Sequence, residues 1–348
     1  MKESNKAYSS EYKDYSQHVA VMISTDRSIF LEKSAVRARM DEYAKLYKEL
    51  HIIVFSVKKF DNVVIADNCT AYSTNSPMRP YHVSSACKIG KKILKKVEKN
   101  IPVLITCQDP FETGLAGKCL AAFRKGSELM LQIHTDLYSP YFAKHSFLNK
   151  IRLFISKYAL PQADIVRVVS KKIADSLVEK GIDVGKIIIK PIEVNAEPLK
   201  SVPAFSLREK YPQFSKIIVM ASRLESEKNI GKALEAMKIV HDKIPAAGLV
   251  IVGSGSKMGE LKKLAYSLKI EASTAFEGWQ TDLVPYYKGC DAFLLTSWYE
   301  GYGMTLKEAQ ICGCKLVSTD VGIAREIGAS IAEHDPKSVA EKLLEAIA

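Results

Sequence analysis

The sequence predicts an α/β protein made of two Rossmann-like halves facing a cleft. Three observations predict it. Short β-branched apolar runs alternate with helical patterns along the chain, as they do where parallel strands are buried on both faces. A proline-bearing polar stretch at 191–203 interrupts the alternation, which then restarts. At 348 residues the chain also exceeds the roughly 250–300 residues that one core organises. The halves are set at 1–196 and 197–348, and facing halves enclose a ligand cleft.

In the first half the strand-like runs are 18–23, 51–56, 102–106, 130–134 and 164–169, with helical patterns over 34–50 and 170–180. In the second they are 216–221, 248–252, 291–295 and 315–319, with a helical pattern over 230–243. Ligands of such sheets sit beyond the carboxyl ends of the strands. The residues just after each strand are therefore the candidates.

Composition bounds the rest. With 47% apolar and 26% charged residues, the chain is in the soluble globular range. No run approaches the roughly 18–20 apolar residues of a spanning helix. Residues 1–18 are polar and do not read as a signal peptide. The seven scattered cysteines read as reduced cytoplasmic thiols, and Cys312-Gly313-Cys314 has no partner pair for zinc. Residues 1–196 carry 31 Lys and Arg against 20 Asp and Glu, a net of +11, whereas 197–348 carry 19 of each. The excess is densest between Lys88 and Lys99, where Ile89, Ile93, Leu94 and Val97 share a helical face among lysines. That segment reads either as a solvated helix or as one that meets an anionic membrane surface. No nucleic-acid motif accompanies it, so no nucleic acid is expected.

Glu300 and Glu308 bracket the most informative stretch. The run 291–295 leads into Glu300-Gly301-Tyr302-Gly303-Met304-Thr305 and then Glu308. That is a strand end, an open loop and a helix start. A helix N-terminus offers unpaired N–H groups and partial positive charge, a ready phosphate site. Carboxylates beside it accept from sugar or ribose hydroxyls. First-turn acids also favour a helix by the macrodipole alone, so spacing leaves both readings open.

Other strand ends add to this. Ser222-Arg223 follows 216–221 and Lys228 comes five residues after Arg223. Arg with its fork and Lys as a point charge suit a diphosphate, while Glu225 and Glu227 offer a plain surface-pair alternative. Gly253-Ser254-Gly255 reads first as a tight βα turn and second as a phosphate or base approach. Trp279, in Phe276-Glu277-Gly278-Trp279, suits a base pocket or a rim. In the first half, His134 and Asp136 follow 130–134 and Asp109 follows 102–106, making them cleft candidates. No Asp-x-Asp occurs, so phosphate charge is expected to meet Arg, Lys and helix ends and no metal.

Together these motifs resemble glycosyltransferase family 4, the glycosyltransferases group 1 with a GT-B fold. Glu300 and Glu308 form its E-x7-E element and Arg223/Lys228 its basic pair, over about 280 residues from His18. The resemblance implies a retaining transferase with a donor-binding second domain, an acceptor-binding first domain and no required cofactor. It implies a UDP- or GDP-sugar donor and a glycan or lipid-linked hydroxyl acceptor in envelope polysaccharide or glycolipid synthesis. By the same resemblance, Glu300 meets donor sugar hydroxyls, and backbone N–H groups of Gly301, Tyr302, Gly303, Met304 and Thr305 approach sugar and phosphate. Glu308 holds the ribose, Arg223 and Lys228 the diphosphate, and His134 the neighbourhood of the reacting carbon. Ser222, Gly253 and Trp279 join the donor side, Asp109 and Asp136 the acceptor side. The loop Ser24-Thr25-Asp26-Arg27-Ser28 departs from the family by lacking paired glycines. The implied location is cytoplasmic, either free or on the inner face of a membrane through the basic segment from Lys88 to Lys99. Two competing readings are a GT-B nucleotide-sugar epimerase and a non-catalytic membrane- or nucleic-acid-binding scaffold.

Overall fold

The computed structural model describes Tyr8, residues 13–201 and residues 207–348. Most of the polar N-terminal stretch and residues 202 and 203 of the expected linker lie outside the described residues. The described residues divide into two compact units. One runs to Val169 and includes Ile173–Lys190; the other comprises Ser170–Lys172 and the chain from Pro191. The division falls ahead of the 196/197 boundary suggested by composition. The physical reason is a short helix, Ala196–Ser201, inside the stretch expected to be plain linker. It packs on the helix Met304–Ile311 of the second unit, and Leu199 O lies 3.7 Å from Cys312 Sγ.

The first unit holds eight strands: β1 (Val19–Ser24), β2 (Glu49–Val54), β3 (Val63–Ala66), β4 (Cys69–Ser73), β5 (Val103–Cys107), β6 (Glu128–Ile133), β7 (Ile165–Val168) and β8 (Ile187–Ile189). They lie in the order β3-β4-β2-β1-β5-β6-β7-β8. Every neighbouring pair is parallel except β3 with β4. β1 and β5 are buried throughout, which is why they read as unbroken apolar runs. One face of the sheet packs Leu50, Ile52, Ala20 and Met22 against Met40 and Ala44 of the helix Ala35–Ala44.

Two expected helices have other bounds than their patterns. The pattern over 34–50 gives a helix only over Ala35–Ala44. Glu49 and Leu50 already belong to β2, because Lys48 N donates to His18 O and Glu49 must stand beside Val19. The basic helix spans His82–Leu94, so Lys95 to Lys99 lie beyond it. There the Arg124 guanidinium takes the carbonyls of Val97 and Glu98 and turns the chain toward β5.

The second unit holds β9 (Lys216–Ala221), β10 (Ala247–Val252), β11 (Thr274–Gly278), β12 (Ala292–Leu295), β13 (Leu316–Thr319) and β14 (Ser330–Ala332). Their order is β11-β10-β9-β12-β13-β14, all parallel. Alternate residues of β9 feed opposite cores. Ile218 and Met220 pack with Leu234 and Met237 of the helix Ile230–Lys243 and with Leu343 of the helix Pro336–Ile347. Ile217 and Val219 pack with Phe293, Tyr287 and Leu306. Each such buried side chain contributes about 1.5–3 kcal/mol. The strand order reverses between β9 and β12, and in a doubly wound sheet this is where a crevice opens at the carboxyl ends.

Candidate functional site

The residues after β9 and β12 meet at this switch point. After β9 come Ser222 and Arg223, then a 3-10 turn, Ser226–Lys228. Asn229, in the left-handed region at φ 51°, turns the chain into the helix Ile230–Lys243. Thr296 Oγ1 donates to Lys228 O and Asn229 O at 3.1 and 3.2 Å. Trp298 N donates to Glu227 O at 2.9 Å. The two loops are thus laced together through the Thr296 hydroxyl and the backbone, and this fixes the side chains they carry.

Lys228 Nζ donates to Glu300 Oε1 at 2.5 Å. The same oxygen accepts from Ser297 Oγ at 2.7 Å. The two charged side chains are only 14% and 15% exposed. Arg223 Nη2 lies 2.9 Å from Glu227 Oε1, so the plain surface pair weighed for Arg223 is present. Glu225 binds the loop after β10, accepting from Ser256 N and Oγ at 2.8 and 2.6 Å. Those bonds hold its carboxyl below the usual range.

Beyond Glu300 the residues Gly301, Tyr302 and Gly303 are buried. Gly303, at φ 92°, is the N-cap of the helix Met304–Ile311 and supplies no side-chain acceptor. Asp335, by contrast, caps its own helix by accepting from Lys337 N and Ser338 N. The Met304 end is therefore a positive terminus without its own acid. Met304 itself is exposed and Thr305 half-buried. Glu308, one turn on, accepts from Tyr287 Oη at 2.7 Å. Burial, then the Glu308 charge, pushes the Tyr287 phenol far up, so it stays a donor.

The glycines after β10 have a packing reason. A Cβ on Gly253 would lie 1.9 Å from Ser222 O, and one on Gly255 2.4 Å from Leu224 O. Leu224 N donates to Ser254 O at 2.9 Å, so the two loops continue the sheet's pairing. Trp279 follows β11 and is 68% exposed. Its neighbour Glu277 is tied down by Lys210, Tyr211 and Tyr286. Burial raises the Glu277 pKa, but these donors outweigh it and leave it lowered.

His134, Asp136 and Asp109 belong to the first unit, at the carboxyl ends of β6 and β5. Arg167 Nη1, a pure donor, lies 2.8 Å from Gln132 Oε1, and Gln132 Nε2 donates to Thr106 Oγ1 at 2.9 Å. His134 Nε2, 3.2 Å from the same Oε1, must then be the protonated nitrogen of the neutral ring. Nδ1 is left as an acceptor. Surrounding protein, then the Arg167 cation, lower the imidazole pKa to about 4, although the residue is exposed to solvent. Asp136 is buried. Asp109 Oδ1 accepts from Phe111 N and Thr113 N at 2.8 and 3.3 Å, just ahead of and in the first turn of the helix Glu112–Phe123. Burial raises its pKa against those bonds. The loop after β1 is closed by Gln108, whose Oε1 accepts from Ser24 Oγ and Thr25 N at 2.9 and 3.2 Å. Those contacts occupy the place where paired glycines were missing.

The structure thus brings Arg223, Lys228, Glu300 and the Met304 helix start to one switch point, with Glu308 one turn beyond. Ser297 and Tyr287, the donors to Glu300 and Glu308, escaped the sequence reading. Ser297 stands three positions before Glu300, a spacing that signals a loop contact; Tyr287 gave no signal. Among the described residues, no group of three or more His, Cys, Asp or Glu side chains is placed to hold a metal.

A family model described as glycosyl transferases, group 1, matches residues 206–348. An uncharacterized glycosyltransferase of Methanocaldococcus jannaschii is 26% identical over 183 residues, 51% of this chain and 45% of that protein. Alpha-monoglucosyldiacylglycerol synthase of Streptococcus pneumoniae is 26% identical over 226 residues, 62% of this chain and 51% of that protein. The chain therefore spans about half the length of these relatives. Anabaena HepE, solved with UDP, superposes with TM-score 0.71 at 15% identity, covering 95% of this chain and 90% of that one. Sucrose-phosphate synthase of Thermosynechococcus elongatus superposes at 0.70 and 19% identity, covering 94% and 89%. At these identities the superpositions show the fold, which is that of the GT-B glycosyltransferases.

Proposed function

We propose, from the premise that residues 206–348 belong to the glycosyl transferases group 1 family, that this chain is a retaining glycosyltransferase. It moves a sugar from a nucleoside-diphosphate sugar to a hydroxyl acceptor. The observation that carries the reading is the convergence of Lys228, Glu300 and the uncapped Met304 helix start between β9 and β12. In this reading Arg223, Lys228 and the helix terminus receive the negative charge that grows on the departing diphosphate. Glu300 holds sugar hydroxyls and Glu308 the ribose, with Ser222, Gly253 and Trp279 at the rim of the donor. The sugar C1–O bond to phosphate breaks as a new C1–O bond forms on the same face. The acceptor proton passes to the leaving phosphate oxygen. His134, neutral near pH 7, offers Nδ1 as an acceptor to a substrate hydroxyl, and Asp109 and Asp136 serve the acceptor in the first unit.

The UDP bound in the HepE crystal supports a UDP-sugar donor over a GDP-sugar. The lipid glycosylated by the pneumococcal relative, as its name states, supports a lipid-linked or glycan acceptor. The basic helix is then a contact with an anionic membrane surface, on its inner face. The test is release of nucleoside diphosphate from UDP-glucose, UDP-galactose or UDP-N-acetylglucosamine with and without a diacylglycerol or polyprenol-linked sugar acceptor. Release that depends on acceptor supports transfer. Conversion of the donor without any acceptor favours the epimerase, and no turnover or binding of any donor favours the scaffold.

A further inference from the structure

The helix Phe147–Ala159 is amphipathic the wrong way round for a soluble domain. It buries Asn149, Ser156 and Ala159. To solvent it presents Phe147 at 77% and Phe154 at 76%, with Leu148, Ile151 and Tyr158 also exposed. Phe147, Ile151, Phe154 and Tyr158 recur at helical spacing, so they form one stripe. The inward polar groups are satisfied: Asn149 Nδ2 donates to Phe142 O at 3.0 Å and Ser156 Oγ to Leu153 O at 2.8 Å. The stripe is thus not a misplaced core, and apolar patches of this kind mark a contact surface.

Its surroundings are cationic. The next helix, Glu112–Phe123, sets Lys118 Nζ 3.5 Å from the Tyr158 ring centroid. The basic helix His82–Leu94 packs on that one and sets Lys91 Nζ 5.5 Å from the ring of Phe123, itself exposed. Lys150 and Lys157 stand exposed beside the stripe. Exposed phenylalanines ringed by lysines, in the half that holds the whole +11 excess, match the apolar interior and anionic headgroups of a bilayer surface. Aliphatic Leu148 and Ile151 suit acyl chains better than nucleobases. Among the described residues no helix is long and apolar enough to cross a membrane, and an interfacial helix does not need to.

We propose that the helix Phe147–Ala159 inserts its aromatic stripe into the interface of an anionic lipid bilayer, with the lysines of this helix layer on the headgroups. This deepens the membrane contact proposed for the basic helix and rests on that reading, but assigns the apolar anchor to another helix. Co-sedimentation with phosphatidylcholine vesicles, with and without phosphatidylglycerol, tests it on the full chain. The wild type should pellet with the anionic vesicles, and Phe147→Ser/Phe154→Ser should lose about tenfold or more in partitioning. That variant should melt at the wild-type temperature, since both rings are already exposed. In a Phe154→Trp variant, brominated lipid should quench emission beyond the quenching seen in the parent. If Lys88→Gln/Lys92→Gln abolishes binding while the double serine variant binds as wild type, the insertion is wrong and the basic-helix contact survives. If the wild type binds no vesicle, both fail. If the serine variant instead dissolves a dimer, or releases single-stranded RNA while vesicle binding is unchanged, the face serves another partner and the proposal is overturned.

Discussion

Lys228 and Glu300 are 72 positions apart in sequence, yet Lys228 Nζ sits 2.5 Å from Glu300 Oε1, each side chain about one-seventh exposed. The pair joins the loops after β9 and β12 across the reversal of strand order. In the proposed reaction the cation serves the diphosphate and the carboxylate the sugar. A donor therefore enters a site whose charges already neutralise one another. Lys228→Ala strands a largely desolvated carboxylate and should destabilise the chain by about 1–3 kcal/mol. Glu300→Gln with Lys228→Gln should cost less than the sum of the single changes, as denaturant melts of the four proteins would show.

Arg223 is the more exposed cation and its partner Glu227 is local. Arg223→Ala should leave stability within about 0.5 kcal/mol of wild type. It should lower kcat by roughly 100-fold or more at saturating donor, with a much smaller change in nucleotide affinity. Steady-state kinetics beside calorimetric titration of UDP separate the two.

Gly253→Ala and Gly255→Ala bring a methyl against the carbonyls of Ser222 and Leu224. Gly253 also sits at φ 134°. Each change should cost about 2 kcal/mol or more and push the Arg223 loop away from the β10 loop. Melting curves measure the first effect and loss of donor affinity the second.

For His134 the pKa is depressed to about 4, so the folded state favours the neutral ring. Its contribution is fully present above the unfolded value of about 6.5 and is lost as pH falls through 4. The exposure of His134 to solvent moderates the size of the effect but not its sign. NMR titration of the His134 ring should give a midpoint well below 6.5. His134→Asn should flatten stability between pH 6.5 and 4, the two values just given.

Tyr287→Phe removes the 2.7 Å donor to Glu308. It should cost about 0.5–1.5 kcal/mol of stability and weaken nucleoside diphosphate more than inorganic pyrophosphate, since Glu308 is assigned to the ribose. Competition binding of UDP and pyrophosphate reads that difference.

Sequence carried the fold where burial is two-sided. β1, β5, β9 and β10 are unbroken apolar runs because both faces are covered. β3 and β4 were not legible: β3 is half-exposed, and its pairing is closed by Asn68 on the carbonyls of Ala44 and Tyr47, a long-range contact. Glu300, Lys228 and Arg223 stood out as residues at strand ends, but spacing gives no sign that two of them pair. Nor did it reveal the face of Phe147, Phe154 and Tyr158. A helical apolar stripe reads the same whether the fold turns it inward or out.

The second unit is proposed to hold a nucleoside-diphosphate sugar at the β9/β12 switch point. Thermal unfolding of the chain with UDP-, GDP- and ADP-sugars, repeated on Glu308→Ala, tests it most directly. A donor at about 100 times its Kd stabilises by roughly 2.7 kcal/mol. A UDP-sugar should give such a rise, and the Glu308 variant should lose it. No rise with any nucleotide sugar, or an undiminished rise in that variant, would contradict it.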